Sequence, residues 1–188
     1  MANLFYVMGA SGVGKDSLLK YAREYITDDT SLVFAHRYIT RPYDAGGENH
    51  VALSHREFLE RERQDCFSMS WQSHGNFYGI GAEINQWLES GLSVVVNGSR
   101  SYFPEAIKRY QKISPVLICA HKKHLLERLI KRGREDEQQV YSRLKLSDSV
   151  KYQLDHPALT CIENNGELAE AGNALVKVLT KKTPTHKE

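Results

Sequence analysis

The chain has 188 residues, a net charge of +2, 26% charged and 41% hydrophobic residues, which predicts one domain with enough apolar material for a core. So small and evenly spread a charge argues against nucleic acid as a partner, and no apolar stretch approaches membrane-spanning length. Cys66, Cys119 and Cys161 lie far apart without a Cys-x-x-Cys pair, and no basic segment precedes the first apolar run, so a cytoplasmic protein with reduced thiols is expected.

The first apolar run, Leu4 to Met8, reads as a buried strand, and Gly9-Ala10-Ser11-Gly12-Val13-Gly14-Lys15-Asp16-Ser17 follows it directly. A helix is expected from Lys15 to about Tyr25, with Leu18, Leu19 and Ala22 on one face. A second strand is expected at Leu32 to Ala35. From Arg37 to about Gly81 the chain is polar and turn-rich. Within it, Ser54-His55-Arg56-Glu57 is a capping box announcing a short helix, and Phe67 to Ser73 and Phe77 to Ile80 form a hairpin through His74-Gly75-Asn76. A helix from about Ala82 to Ser90 should stop at Gly91, and three further strands are read at Leu92 to Val96, Val116 to Ala120 and Leu159 to Glu163. Lys131 to Gln139 is a charged stretch between helices, and Lys181 to Glu188 a polar tail.

Buried runs alternating with helical patterns predict an α/β class: a five-stranded parallel sheet with helices on both faces. The single domain divides into a core (1–36 and 82–180), a small inserted subdomain (about 37–81) and a lid (about 131–143). The segment Gly9 to Ser17 has the strand–loop–helix context of a phosphate-binding P-loop. Its glycines let backbone N–H groups converge on an anion, the helix adds its positive end, and Lys15 can reach β- and γ-phosphates. The residue after the lysine, usually a Mg²⁺-holding Ser or Thr, is Asp16.

P-loop, inserted subdomain and arginine-rich lid together resemble the nucleoside monophosphate kinases, guanylate kinase above all, over about Phe5 to Lys177. The anchors are Gly9 to Ser17, Thr40-Arg41, Gly47-Glu48, Gly75-Asn76-Phe77-Tyr78-Gly79, Arg128 to Glu135, Arg143 and Glu163-Asn164-Asn165. The resemblance implies a P-loop kinase fold that binds ATP through Gly9 to Ser17, Arg134 and Asn164. It implies that the inserted subdomain grips the acceptor phosphate through Arg41 and Tyr78, and that Lys15, Arg132 and Arg143 serve catalysis. Such a reaction asks the protein mainly to align two anions and neutralise their charge.

The departures narrow the substrate. Guanylate kinases read guanine with a Glu before the Gly-Asn-x-Tyr-Gly segment and hydroxyl residues after it; here those positions hold Met69, Ile80 and Gly81. A methionine cannot accept hydrogen bonds from a base edge. Their second phosphate-binding arginine is Asp44 and their early serine is Arg37. Gly14-Lys15-Asp16-Ser17, Arg37-Tyr38-Ile39-Thr40-Arg41, Gly46-Gly47-Glu48-Asn49-His50 and Val96-Asn97-Gly98-Ser99-Arg100 are similar to the ribose 1,5-bisphosphate phosphokinase family. That resemblance implies a phosphorylated sugar as acceptor, with Arg37, Arg41, Glu48, Tyr78, Asn97 and Arg100 on the substrate side. It also implies conversion of ribose 1,5-bisphosphate to 5-phosphoribosyl 1-diphosphate in phosphonate catabolism. A guanylate or other nucleoside monophosphate kinase, and a non-catalytic guanylate-kinase-like binding module, stay open at this level. So does a homodimer.

The strand from Leu92 should end in an acidic residue near Mg²⁺ but ends in Asn97, while the P-loop has gained Asp16. One carboxylate lost and one gained point to Asp16, helped by Ser17, as the metal-binding group. His50 and His74 fall in the inserted subdomain, where a structural role or a phosphate contact is open. Trp71 and Trp87 are expected to pack the subdomain and the helix beside it.

Overall fold

Alternate residues of the first strand, β1 (Leu4–Gly9), feed two different cores, and this sets the layers of the protein. The computed structural model describes residues 2–26, 31–45, 47–132, 154 and 156–180, with side chains at 127 and 129–132 outside the description. Leu4, Tyr6 and Met8 join Val94, Val96, Ile84, Phe103 and Ala106 in one core. Phe5 and Val7 join Val95, Val116, Leu18, Ala22, Leu125, Ala171 and Leu175 in the other. A strand buried on both faces needs apolar residues at every position, which is why these strands read as unbroken apolar runs.

Five parallel strands make the main sheet, in the order β2 (Leu32–Phe34), β7 (Ser93–Asn97), β1, β8 (Ile113–Cys119), β9 (Thr160–Glu163). Helices α3 (Glu83–Glu89) and α4 (Phe103–Arg109) cover the first face. The other face carries α1 (Lys15–Tyr25), α5 (Lys122–Arg132) and α6 (Leu168–Thr180). Gly91 ends α3 at φ 92°, with Leu92 N–H donating to the Trp87 carbonyl at 2.9 Å, a left-handed cap of the Schellman kind. The α/β class, the five-stranded parallel sheet and the helices on both its faces are as expected. Strand β2 stops one residue earlier, at Phe34. The expected lid falls mostly on residues outside the description.

Residues between 37 and 81 build a second sheet, ordered β4 (Val51–Ala52), β3 (Arg37–Ile39), β6 (Asn76–Gly81), β5 (Phe67–Ser73). Helix α2 (His55–Arg63) packs Phe58 against Phe67. Only half of the capping box forms: Ser54 Oγ accepts from the Glu57 N–H at 3.1 Å, while the Glu57 carboxylate takes Arg61. The hairpin turn is tighter than expected. Ser73 already pairs with Asn76, and the two turn residues His74 (φ 48°) and Gly75 (φ 74°) both sit left-handed, which matches strand twist.

Between Phe67 and Met69 the β5–β6 register slips by a bulge. Residues two apart in a strand normally share a face, yet Phe67 enters the cluster under α2 and Met69 the main core. Ser68, at 0% exposure, sits at the slip with its hydroxyl against the Ile80 and Gly81 carbonyls at 3.2 and 3.1 Å. The bulge thus lets one strand belong to two cores and fastens the second sheet to the first.

Beyond β7 the chain crosses the ring of Tyr6 at Gly98, and a Cβ there would lie within 2.6 Å of three of the ring's carbon atoms. Tyr6 cannot retreat, because its hydroxyl donates to the Ser99 carbonyl at 2.9 Å and accepts from the Ser99 N–H at 3.0 Å. Gly98→Ala should therefore destabilise the fold by about 1–3 kcal/mol, the usual cost of overpacking. Urea unfolding would measure it, and a loss within error of zero would mean that the crossing can shift.

Candidate functional site

Gly9 ends β1, and the loop from Ala10 to Gly14 leads directly into α1. Gly14 stands at φ 89° as the N-cap and no side chain caps the helix, so the first-turn N–H groups of Lys15, Asp16 and Ser17 are left to an anion. The loop is braced from behind. Asn164 Nδ2 donates to the Val13 carbonyl at 2.7 Å and Arg128 Nη1 to the same oxygen at 3.3 Å. Asn164 is 3% exposed, and its own N–H is taken by the Cys119 carbonyl at 2.7 Å. Gly12, Gly14, Ser17, Arg128, Asn164, Gly166 and Leu168 line a cleft of about 490 Å³ on this side of the loop.

The other side carries a chain of charges. Lys15 Nζ donates to Asn97 Oδ1 and lies 3.4 Å from Asp16 Oδ1. The Asn97 amide donates to Asp16 Oδ1 at 3.0 Å and to Glu48 Oε2 at 2.9 Å. Arg37 grips Glu48 with two nitrogens, Nε at 2.7 Å and Nη2, and its guanidinium lies 5.1 Å over the Tyr78 ring. Burial pushes the Lys15 ammonium below its ordinary pKa, against the pull of Asp16. Burial would push Asp16 up, but Lys15, Arg37 and the Asn97 amide together hold its carboxyl below the usual value. The sign follows: Asp16 contributes stability above the ordinary carboxylate pKa and loses it as pH falls toward its depressed folded value.

Asn97 has one acceptor and two donors here, all three matched. An aspartate at that position would set a third carboxylate about 3 Å from Asp16 and Glu48, a like-charge arrangement of high cost. The exchange of carboxylates between positions 16 and 97 therefore has a local electrostatic reason.

Next to Glu48, a Cβ on Gly47 would lie 3.6 Å from Asp16 Oδ2 and 3.9 Å from Arg41 Nη2. The P-loop carboxylate and the Arg41 guanidinium thus approach one point. Arg41 Nε is buried without a hydrogen-bond partner among the described residues, and a buried donor of this kind needs an acceptor to offset its desolvation. Tyr78 stacks on Trp71 at 5.7 Å and 4°, and Trp71 also meets Tyr102 at 5.6 Å. Arg100 is half-buried, and burial lowers its pKa from the ordinary value.

Of the residues singled out from sequence, Gly9 to Ser17, Asn97, Glu48 and Arg37 form one connected group, with Arg41 and Tyr78 adjoining it. Asn164 reaches the P-loop backbone. Arg134, Arg143 and the side chain of Arg132 lie outside the described residues. Met69 (1% exposed) and Ile80 (0%) are core residues, so the positions that read guanine in guanylate kinases are spent on packing. Trp71 and Trp87 both pack against that core. Sequence reasoning missed Arg128 as a brace, the Arg37–Glu48 pair, and the contacts of His50. The opposite charges of Arg37 and Glu48 were the only available signal for the pair.

No protein-family model matches the chain. The ribose 1,5-bisphosphate phosphokinase PhnN of Desulfomicrobium baculatum is 50% identical over 183 residues, covering 97% of this chain and 97% of that one. The protein of the same name from Psychromonas ingrahamii is 50% identical over 176 residues (94% and 89%). That of Yersinia pestis is 47% identical over 185 residues (98% and 94%). Among solved structures, guanylate kinase from Anaplasma phagocytophilum superposes with a TM-score of 0.68 at 16% identity, over 95% of this chain and 84% of that one; the likeness is one of fold.

Removing the brace should be felt at the nucleotide. Asn164→Ala deletes one hydrogen bond to Val13, and ATP affinity measured by calorimetry should fall roughly three- to tenfold. Unchanged affinity would mean that the P-loop holds its shape without the amide.

Proposed function

This chain belongs to the ribose 1,5-bisphosphate phosphokinase family, and we propose that it transfers the γ-phosphoryl group of ATP to the 1-phosphate of ribose 1,5-bisphosphate. The products are 5-phosphoribosyl 1-diphosphate and ADP. One observation carries the proposal: Arg41, whose buried Nε has no partner among the described residues, and the P-loop carboxylate Asp16 both approach Gly47, next to a site where Met69 and Ile80 are core residues. A phosphorylated acceptor without a base suits this arrangement.

The nucleophile is a phosphate oxygen already ionised near neutral pH, since the second phosphate pKa is about 6. No general base is required, and the residues need only align and neutralise. The P-loop N–H groups and Lys15 take the β- and γ-phosphates. Arg41 and Tyr78 take one phosphate of the acceptor, and Arg37 or Arg100 the other. Arg37 is already held by Glu48 and Tyr78, so it offers its remaining nitrogen in a fixed orientation. Arg132, Arg134 and Arg143 complete the enclosure as a lid over the transferring group. Residues 37–81 serve as the acceptor-binding subdomain, and the protein works in the cytoplasm.

Asp16 and Ser17 offer oxygen donors to a hard cation, and Asp16 is held ionised by its neighbours, so the residues fit Mg²⁺. When bound, the ion supplies neutralisation of charge shared between the β- and γ-phosphates. A unit charge pair about 4 Å apart is worth roughly 4 kcal/mol at an effective dielectric of ~20, so the carboxylate at this point matters.

Two measurements test the proposal. A ³¹P NMR time course with Mg-ATP should show a new diphosphate signal and ADP with ribose 1,5-bisphosphate and not with GMP; turnover of GMP alone would overturn it. Asp16→Ser should nearly abolish turnover, and Asp16→Ser with Asn97→Asp should recover a measurable part. No recovery would count against the carboxylate exchange.

A further inference from the structure

The segment between β3 and β4 carries Arg41 near one end and Glu48 near the other. Pro42, Tyr43 and Asp44 are exposed, as is Gly47 (φ 99°), and a hydrogen bond from the Ala45 N–H to the Pro42 carbonyl at 3.2 Å closes a turn within the segment. An exposed turn of this kind does not by itself hold two functional side chains to the accuracy that phosphoryl transfer needs.

His50 follows this segment and precedes β4. It is 7% exposed, and its two ring nitrogens reach opposite ends of the segment. Nδ1 lies 3.1 Å from the Glu48 carbonyl and Nε2 lies 3.1 Å from the Arg41 carbonyl. Both partners are acceptors, so each contact is a hydrogen bond only when that nitrogen carries a proton. A neutral ring holds one end, and the imidazolium holds both.

We propose that His50 is the positioning residue of the acceptor site: its ring clasps the backbone at Arg41 to that at Glu48 and so presets the Arg41 guanidinium. The two contacts engage both ring nitrogens on the backbone, so His50 acts on a bound phosphate through Arg41. Arg41 is where the clasp pays off, because its buried Nε has no partner among the described residues and must be held ready for an incoming anion. Preorganisation of this kind appears as affinity for the acceptor and leaves the donor nucleotide untouched. The inference deepens the proposed function and rests on it only for the identity of the acceptor.

The test uses the full chain and two variants. His50→Phe keeps a ring and removes both donors, whereas His50→Gln keeps one amide donor. In His50→Phe, hydrogen exchange of the free protein should quicken at 41–49 and stay as in the parent across the main sheet. The KM for ribose 1,5-bisphosphate should rise about tenfold, as expected for loss of a well-made backbone contact, while the KM for ATP and the saturated kcat change less than about twofold. His50→Gln should recover part of the loss. An unchanged acceptor KM, a fall in kcat at constant KM, or an equal rise in both KM values would each overturn the proposal. If His50→Phe does not fold, the split in His50→Gln decides it by the same criteria. The exchange measurement needs no substrate, so a clasp that fails there is distinguishable from an acceptor wrongly assigned.

Discussion

The side-chain amide of Asn97 ties the two halves of the site together. It stands at the end of a central strand of the main sheet, accepts from Lys15 and donates to Asp16 and to Glu48. Lys15 and Asp16 belong to the P-loop, whereas Glu48 belongs to the second sheet's long connection and itself holds Arg37. A single uncharged group with one acceptor and two donors thus fixes the spacing between the P-loop and the second sheet's connection. A carboxylate there would accept from Lys15 but repel both acids, and an aliphatic residue would leave three polar groups unmatched. Asp16 in the P-loop and Asn97 at the strand end make one arrangement, since each is tolerable only because of the other.

Much of the architecture was legible in the sequence for a physical reason. Strands buried on both faces have no polar face to interrupt them, so β1, β7 and β8 show as apolar runs; Gly91 and Ser54 announce helix ends because their cap geometry demands those residue types. The P-loop was equally plain, since few sequences combine those glycines, a lysine and a preceding strand. What escaped was short or relational. Strands β3 and β4 have three and two residues, too few for a period to register. The bulge at Ser68 leaves no mark in composition, yet it decides that Met69 lies in the main core.

Within the site, residues acting through their own chemistry were readable and those acting through others were not. Lys15, Asp16 and Arg41 carry charges suited to phosphates and a metal, so residue type singled them out as candidates. Arg37 and Glu48 were both expected on the substrate side, but that they form an ion pair with each other, eleven positions apart, was not legible. The two carbonyls that receive His50 and the one that receives Asn164 and Arg128 are backbone groups. Every residue has such a carbonyl, so no sequence feature marks these as partners.

The same electrostatics sets a tension between stability and function. Lys15 is buried and its pKa is lowered, chiefly by desolvation, so the unfolded chain binds that proton more tightly than the fold does. The sign is unfavourable: the free protein loses stability to this group at every pH below the folded pKa, and the loss fades only as pH climbs to the unfolded value. Arg41, with its buried and unmatched Nε, adds a penalty of the same kind. Burial costs Lys15 more than its contacts with Asn97 and Asp16 return, and Arg41 Nε has no acceptor among the described residues. In the proposed reaction, phosphate oxygens supply the charge and the acceptors that these two groups lack. Asn97 ties Lys15 to Glu48, and such preorganisation is the condition for that energy to appear as binding in the proposed reaction.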